Sequence, residues 1–146
     1  MASFFQPLLA LLYPELCPAC GQLLTSDEQT ICLSCRFLLP RTGYEKVHDN
    51  PIARMFWGRT HLHAATACFF FAKQGRVQHL IHELKYRSNK EAGLFLGEEM
   101  AKEMAASEIF SGIDYLVPVP LHPKKLRTRG YNQSEELAME IGRAHV

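Results

Sequence analysis

At 146 residues the chain falls in the single-domain range, and a small metal-held unit joined to one layered core also fits this length. Its composition is 47% hydrophobic, and 16 basic residues against 15 acidic ones leave a formal net charge of +1, so the overall balance does not suggest a nucleic-acid binder. No apolar run approaches the roughly 18 to 20 residues that a membrane span requires, which points to a soluble protein.

The chain opens with an apolar stretch, Met1 to Tyr13. It lacks a basic n-region and a small-residue cleavage site, and Pro7 interrupts it, so the expectation is a segment packed on the body of the protein and not a secretory signal. Next come two cysteine pairs, Cys17-Pro-Ala-Cys20-Gly and Cys32-Leu-Ser-Cys35. Each CxxC lets the chain curl so that two thiolates reach one ion, and Gly21 permits the tight turn that the first knuckle needs. Four soft sulfurs favour tetrahedral zinc, with iron as the usual competitor. A closed sulfur shell leaves no position for water, so the site holds structure and does no chemistry. Two disulfides or a pair of redox motifs are the alternative reading of the same spacing. An odd total of five cysteines, four of them in tight pairs, favours metal over a disulfide scaffold and places the chain in the reducing cytoplasm.

Residues 41–59 mix Gly43, Pro51 and Gly58 with charges and with the cluster Met55, Phe56 and Trp57. This is a linker-like stretch, and it divides the chain into a cysteine unit over 1–40, a linker over 41–59 and a second domain over 60–146. Thr60 to Ala72, rich in β-branched and aromatic residues, predicts a strand in which Cys68 is a small buried hydrophobe. Val77, Leu80, Ile81 and Leu84 repeat at helical spacing up to Ser88-Asn89. Ser88 and Glu91 then have capping-box spacing, opening a second helix through Leu94, Ala101, Met104 and Ala105 to about Ser107. Asp114 to Val119 predicts a short buried strand cut off by Pro118 and Pro120, and Asn132 with Glu135 predicts the cap of a last helix carrying Leu137, Ala138 and Ile141 inward.

Positive charge is concentrated in one place. Lys124, Lys125, Arg127 and Arg129 follow one another between His122 and Tyr131 with no acid among them, and the rest of the chain is net acidic. A strand that runs into a basic, glycine-bearing loop and then a helix start is a recurring way to hold phosphate, because backbone amides and cationic side chains converge there. A solvated surface charge run is the plainer alternative. His61 and His63, with His79 and His82, lack carboxylates nearby and read as structural or solvated and not as a second metal site.

The segments PVPLHPKKLRTRGYNQ (Pro118 to Gln133), LKYRSNKEAGLFLG (Leu84 to Gly97) and CPAC…CLSC together resemble the ComF family, competence protein F, whose members join a double zinc ribbon to a phosphoribosyltransferase-like domain and are associated with DNA uptake. The resemblance implies an α/β fold: a small N-terminal four-cysteine zinc ribbon followed by a type I phosphoribosyltransferase-like parallel-sheet domain. It implies further that the 121–130 loop contacts the pyrophosphate of phosphoribosyl pyrophosphate through Lys124, Lys125, Arg127, Arg129 and Gly130, with Lys85 a subsidiary candidate. The family pattern also needs a downstream strand ending in two acids and a Thr-Thr-Gly-like loop. Here the only aspartates are Asp27, Asp49 and Asp114, so the expectation is an incomplete domain without transferase activity of its own and with no assignable catalytic residue. A zinc-ribbon module binding single-stranded nucleic acid is the competing reading, and a phosphoribosyl ligand, single-stranded DNA or competence proteins are the expected partners.

Overall fold

The computed structural model describes residues 14–144; the apolar segment Met1 to Tyr13 lies outside the described residues. The first knuckle sets the geometry of the entry. Gly21 adopts φ 75°, which lets its amide and that of Cys20 turn back onto the Cys17 carbonyl (2.8 and 3.3 Å). Leu16 and Leu23 then face each other in an antiparallel bridge. The second knuckle opens a short helix, α1 (Leu33–Phe37), capped by Cys32.

Through the linker-like stretch, Asn50 caps α2 (Pro51–Arg54) by accepting from the Ile52 and Ala53 amides, while its own amide group donates to the Val47 and Ala65 carbonyls. The two central helices follow the expected pattern. In α3 (Arg76–Tyr86) Val77, Leu80 and Leu84 are buried, one stripe at helical spacing. In α4 (Lys90–Ala105) Ala92, Phe95, Leu96 and Ala101 are buried, and the cap is Asn89, which accepts from the Ala92 amide. Ser88, the expected cap, instead takes the left-handed turn between the helices with φ 53°. Two further helices, α5 (Pro123–Arg129) and α6 (Gln133–Ala144), complete the α-helices among the described residues, and α6 packs along α4; short 3-10 turns lie at Tyr44–Lys46 and Glu108–Phe110.

The expected parallel sheet is not there. Among the described residues the β pairing consists of two isolated antiparallel bridges, Leu16 with Leu23 and Arg41 with Phe69. The 60–72 stretch is largely irregular and is held at its end by residues 40–42, through Phe70 N to Pro40 O (2.8 Å) and Thr42 N to Cys68 O (3.1 Å). The 114–119 stretch has no regular structure and no β partner, with Tyr115, Val117 and Val119 turned outward at 85%, 85% and 72% exposure. Apolar composition favours extended backbone, yet a strand exists only where a neighbour supplies hydrogen bonds, and these two stretches are not paired with each other. A phosphoribosyltransferase-like parallel-sheet domain is therefore not the architecture formed by these residues.

What replaces it is a helical core continuous with the cysteine unit. Cys17, Ala19, Ile31, Cys32, Cys35 and Leu39 belong to the same buried cluster as Val77, Leu80, Ala92, Phe95 and Leu96. Polar ties run alongside. Glu99 of α4, almost wholly buried, receives Arg36 of α1 (3.6 Å), Arg41 and Lys102 (2.9 Å), and Arg36 also lies over the Phe95 ring (5.2 Å).

Candidate metal centre and the basic helix

The two knuckles bring Cys17, Cys20, Cys32 and Cys35 together, with their sulfurs all within 4.8 Å of one another. All four are free thiols; Cys20 is exposed and the other three are buried. With metal–sulfur bonds of about 2.3 Å, a tetrahedral centre places its sulfurs about 3.8 Å apart. The Cys20 and Cys32 sulfurs are 3.7 Å apart, so the donor set fits a single ion. Backbone amides already point at the sulfurs: Cys32 N lies 3.4 Å from Cys17 Sγ and Cys35 N lies 3.4 Å from Cys32 Sγ. Four cysteines so placed can hold a metal ion such as zinc.

At Cys32 and Cys35 protonation opposes that assembly until a cation arrives. Burial pushes the Cys35 thiol up to about 12, with the Cys20 thiol adding to the rise, and burial also raises Cys32. Crowded sulfurs resist sharing several negative charges, and a bound dication reverses the balance. Cys68 stands apart in the core, pushed up to about 11 by burial and by the Glu45 and Glu103 charges, which leaves it a poorly reactive thiol.

The histidines do not converge. The His63 ring faces His48 (5.6 Å), the His82 ring lies on Tyr86 (4.6 Å), and His79 Nδ1 is 3.0 Å from the Ala19 carbonyl. Among the described residues the four cysteines form the single group suited to a metal ion.

Residues 121–130 form a helix where a loop was expected. Pro123 stands at the first turn, the His122 imidazole accepts from the Lys124 amide (3.2 Å), and Gly130 ends α5 with φ 79°. The pair of signals, proline just inside the start and glycine at the end, is legible in HPKKLRTRG and outweighs a loop reading based on charge. Lys124, Lys125 and Arg127 are exposed and have no ion pair among the described residues, whereas Arg129 turns inward over the Tyr86 ring (5.5 Å) and donates to Gln133 (2.8 Å). Lys85 is exposed on α3.

The RGYNQ motif, Arg129 to Gln133, is a junction. The Tyr131 hydroxyl donates to the Leu84 carbonyl at the end of α3, and Lys90 of α4 lies over the Tyr131 ring (5.1 Å). Asn132 donates to the Val119 carbonyl (3.0 Å) and accepts from the Ser134 amide (3.1 Å), so one side chain fixes the 114–119 stretch and caps α6. Gly130, expected to approach phosphate, serves here as the left-handed end of α5.

Compared with protein-family models, with curated proteins and with solved structures, the chain matches none. No helix among the described residues is long and apolar enough to cross a membrane.

Proposed function

We propose that the four cysteines hold one structural zinc ion and that the chain is a ComF-type protein that binds the pyrophosphate or phosphate of a phosphoribosyl ligand through α5. The zinc half of this reading is supported by the all-sulfur donor set, by sulfur spacing that suits tetrahedral coordination and by free thiols of the kind a reducing cytoplasm maintains. Closed by four thiolates, the ion works as a structural clamp and not as a Lewis acid.

For the second half, the observation that carries the reading is the basic face of α5. Lys124, Lys125 and Arg127 project from a helix whose ends are fixed by His122 and by the RGYNQ junction, so three cations are held ready without acidic partners. Lysines act on phosphate as point charges and an arginine adds a two-pronged grip. The resemblance of PVPLHPKKLRTRGYNQ to ComF proteins supplies the phosphoribosyl part of the reading; the parallel sheet does not contribute to it.

The test is calorimetric titration of the zinc-loaded chain with phosphoribosyl pyrophosphate and with pyrophosphate. Binding that weakens at least tenfold in a K124A/K125A/R127A protein supports the reading. Equal binding by wild type and variant, or none by either, removes it.

A second reading is favoured by the exposed placement of the same cations, with the Tyr86 ring beside Arg129 and the Tyr115 ring on the segment leading to α5. Cations on an open helix near aromatic faces suit a single-stranded nucleic-acid backbone. Three phosphate contacts would make log K fall with log salt at a slope of about −2. Fluorescence anisotropy on a labelled single-stranded oligonucleotide measures that slope, and no binding at low salt ends this reading.

A further inference from the structure

Phe56, Trp57 and Leu62 stand outside the core, with Trp57 and Leu62 62% and 51% exposed. Exposed aromatic and aliphatic residues grouped in this way mark a ligand or interaction surface. Here they line a cleft of about 230 Å³ together with His48, Asp49 and His63. Its shape is built into the backbone. Asn50, buried, holds both walls at once, accepting from the Ile52 and Ala53 amides and donating to the Val47 (2.8 Å) and Ala65 (2.9 Å) carbonyls. Beyond α2 the chain turns back through Gly58 at φ 71°, where the Arg59 and Thr60 amides both donate to the Phe56 carbonyl (3.0 and 3.2 Å). The His48 and His63 rings, one from each wall, meet edge-on with centroids 5.6 Å apart.

Size and charge narrow what the cleft can take. Pockets for drug-sized ligands run from about 300 to 1,000 Å³, so this one has room for a single small ring system. Its aromatic walls favour a planar aromatic ring, which gains offset or edge-to-face contact with Trp57 and Phe56. Asp49, the one carboxylate on the walls, is engaged by Arg54, with Nε to Oδ1 at 2.6 Å and Nη2 to Oδ2 at 3.0 Å. A cationic ligand therefore finds no free anion. A free cation does stand at the rim. Trp57, Thr60 and Leu62 also line an adjoining hollow of about 370 Å³ that contains Arg59 and His61. Arg59 is exposed and has no ion pair among the described residues.

We propose that the cleft binds a small aromatic carboxylate, its ring seated against Trp57 beside His48 and His63 and its carboxylate paired with Arg59 at the rim. A guanidinium meets a carboxylate with two parallel N–H donors, while the ring supplies the apolar contact. None of these residues belongs to the cysteine unit or to α5, so this site is independent of both readings above.

The test uses the full chain as purified, labelled with nitrogen-15, and benzoate as the probe. Trp57 is the only tryptophan, so its indole N–H resonance reports on the cleft alone. Benzoate should move that resonance to saturation with a Kd of about 1 mM, the strength open to so small a ligand. Benzyl alcohol, the ring without the charge, and cyclohexanecarboxylate, the charge without the aromatic ring, should each bind about fivefold more weakly. Arg59→Gln, a change at an exposed side chain that leaves the fold intact, should lower benzoate affinity by a similar factor and leave benzyl alcohol binding unchanged. A benzoate shift that never saturates, or benzoate and benzyl alcohol bound equally, overturns the proposal. So does an Arg59→Gln protein that binds benzoate as wild type does.

Discussion

Gly97 lies on α4 where that helix meets α6, and a methyl group there would sit 2.6 Å from Glu140 Cβ and 3.3 Å from the Leu137 carbonyl oxygen. Neither neighbour is the free end of a long side chain, so in Gly97→Ala the two helices must part by about 1 Å to restore ordinary contact. Overpacking of this kind costs about 1–3 kcal/mol, and the better helix propensity of alanine offsets about 1 kcal/mol of it. The expected net loss is about 1 kcal/mol, a fall in Tm of about 3 °C for a chain of this size. Gly142 on α6 supplies the contrast, because a methyl group there meets only Leu116 Cδ1, at 3.6 Å. Gly142→Ala should therefore stabilise by up to about 1 kcal/mol. Thermal and urea unfolding of the metal-loaded proteins, followed by circular dichroism, compares the two. If Gly97→Ala raises Tm as Gly142→Ala does, α4 and α6 do not pack as described.

Tyr131→Phe removes the donor to the Leu84 carbonyl while leaving the ring under Lys90, and should cost about 0.5–1.5 kcal/mol by urea unfolding; an unchanged midpoint would show that the junction does not depend on this bond. Burial alone would raise the Glu99 carboxyl, but the Arg41 and Lys102 cations outweigh it and hold the group below the usual carboxylate range of 4.5. Because the folded-state value is depressed, this stabilisation is present above the unfolded-state value and is lost as pH falls through the folded one. Stability measured from pH 6 downward should thus drop on the acid side of 4.5, and Glu99→Gln should flatten that part of the curve; an equally steep curve in the variant would assign the drop to other carboxyls. Cys17→Ser removes one ligand and should leave a poorly folded chain with weakened metal binding, seen as loss of helical ellipticity.

The cysteine unit and the long helices were legible because their signals are local. CxxC spacing with Gly21 brings sulfurs together by turn geometry, and the Val77, Leu80 and Leu84 stripe needs only a core to face. Asn132 was readable as a cap for the same reason. The sheet was not, since Thr60 to Ala72 and Asp114 to Val119 carry the composition of strands but pairing depends on neighbours that composition does not specify. At α5 the charge of Lys124 to Arg129 drew attention from Pro123 and Gly130, whose positions mark a helix.

On the reading proposed above, one metal ion held by Cys17, Cys20, Cys32 and Cys35 secures a core that extends into α3 and α4. Elemental analysis of the purified chain, paired with circular dichroism before and after a strong chelator, tests it directly. Close to one zinc per chain is expected, with a loss of ordered structure reaching beyond the cysteine unit when the ion is withdrawn. Absence of bound metal, or full retention of the fold after chelation, would contradict it.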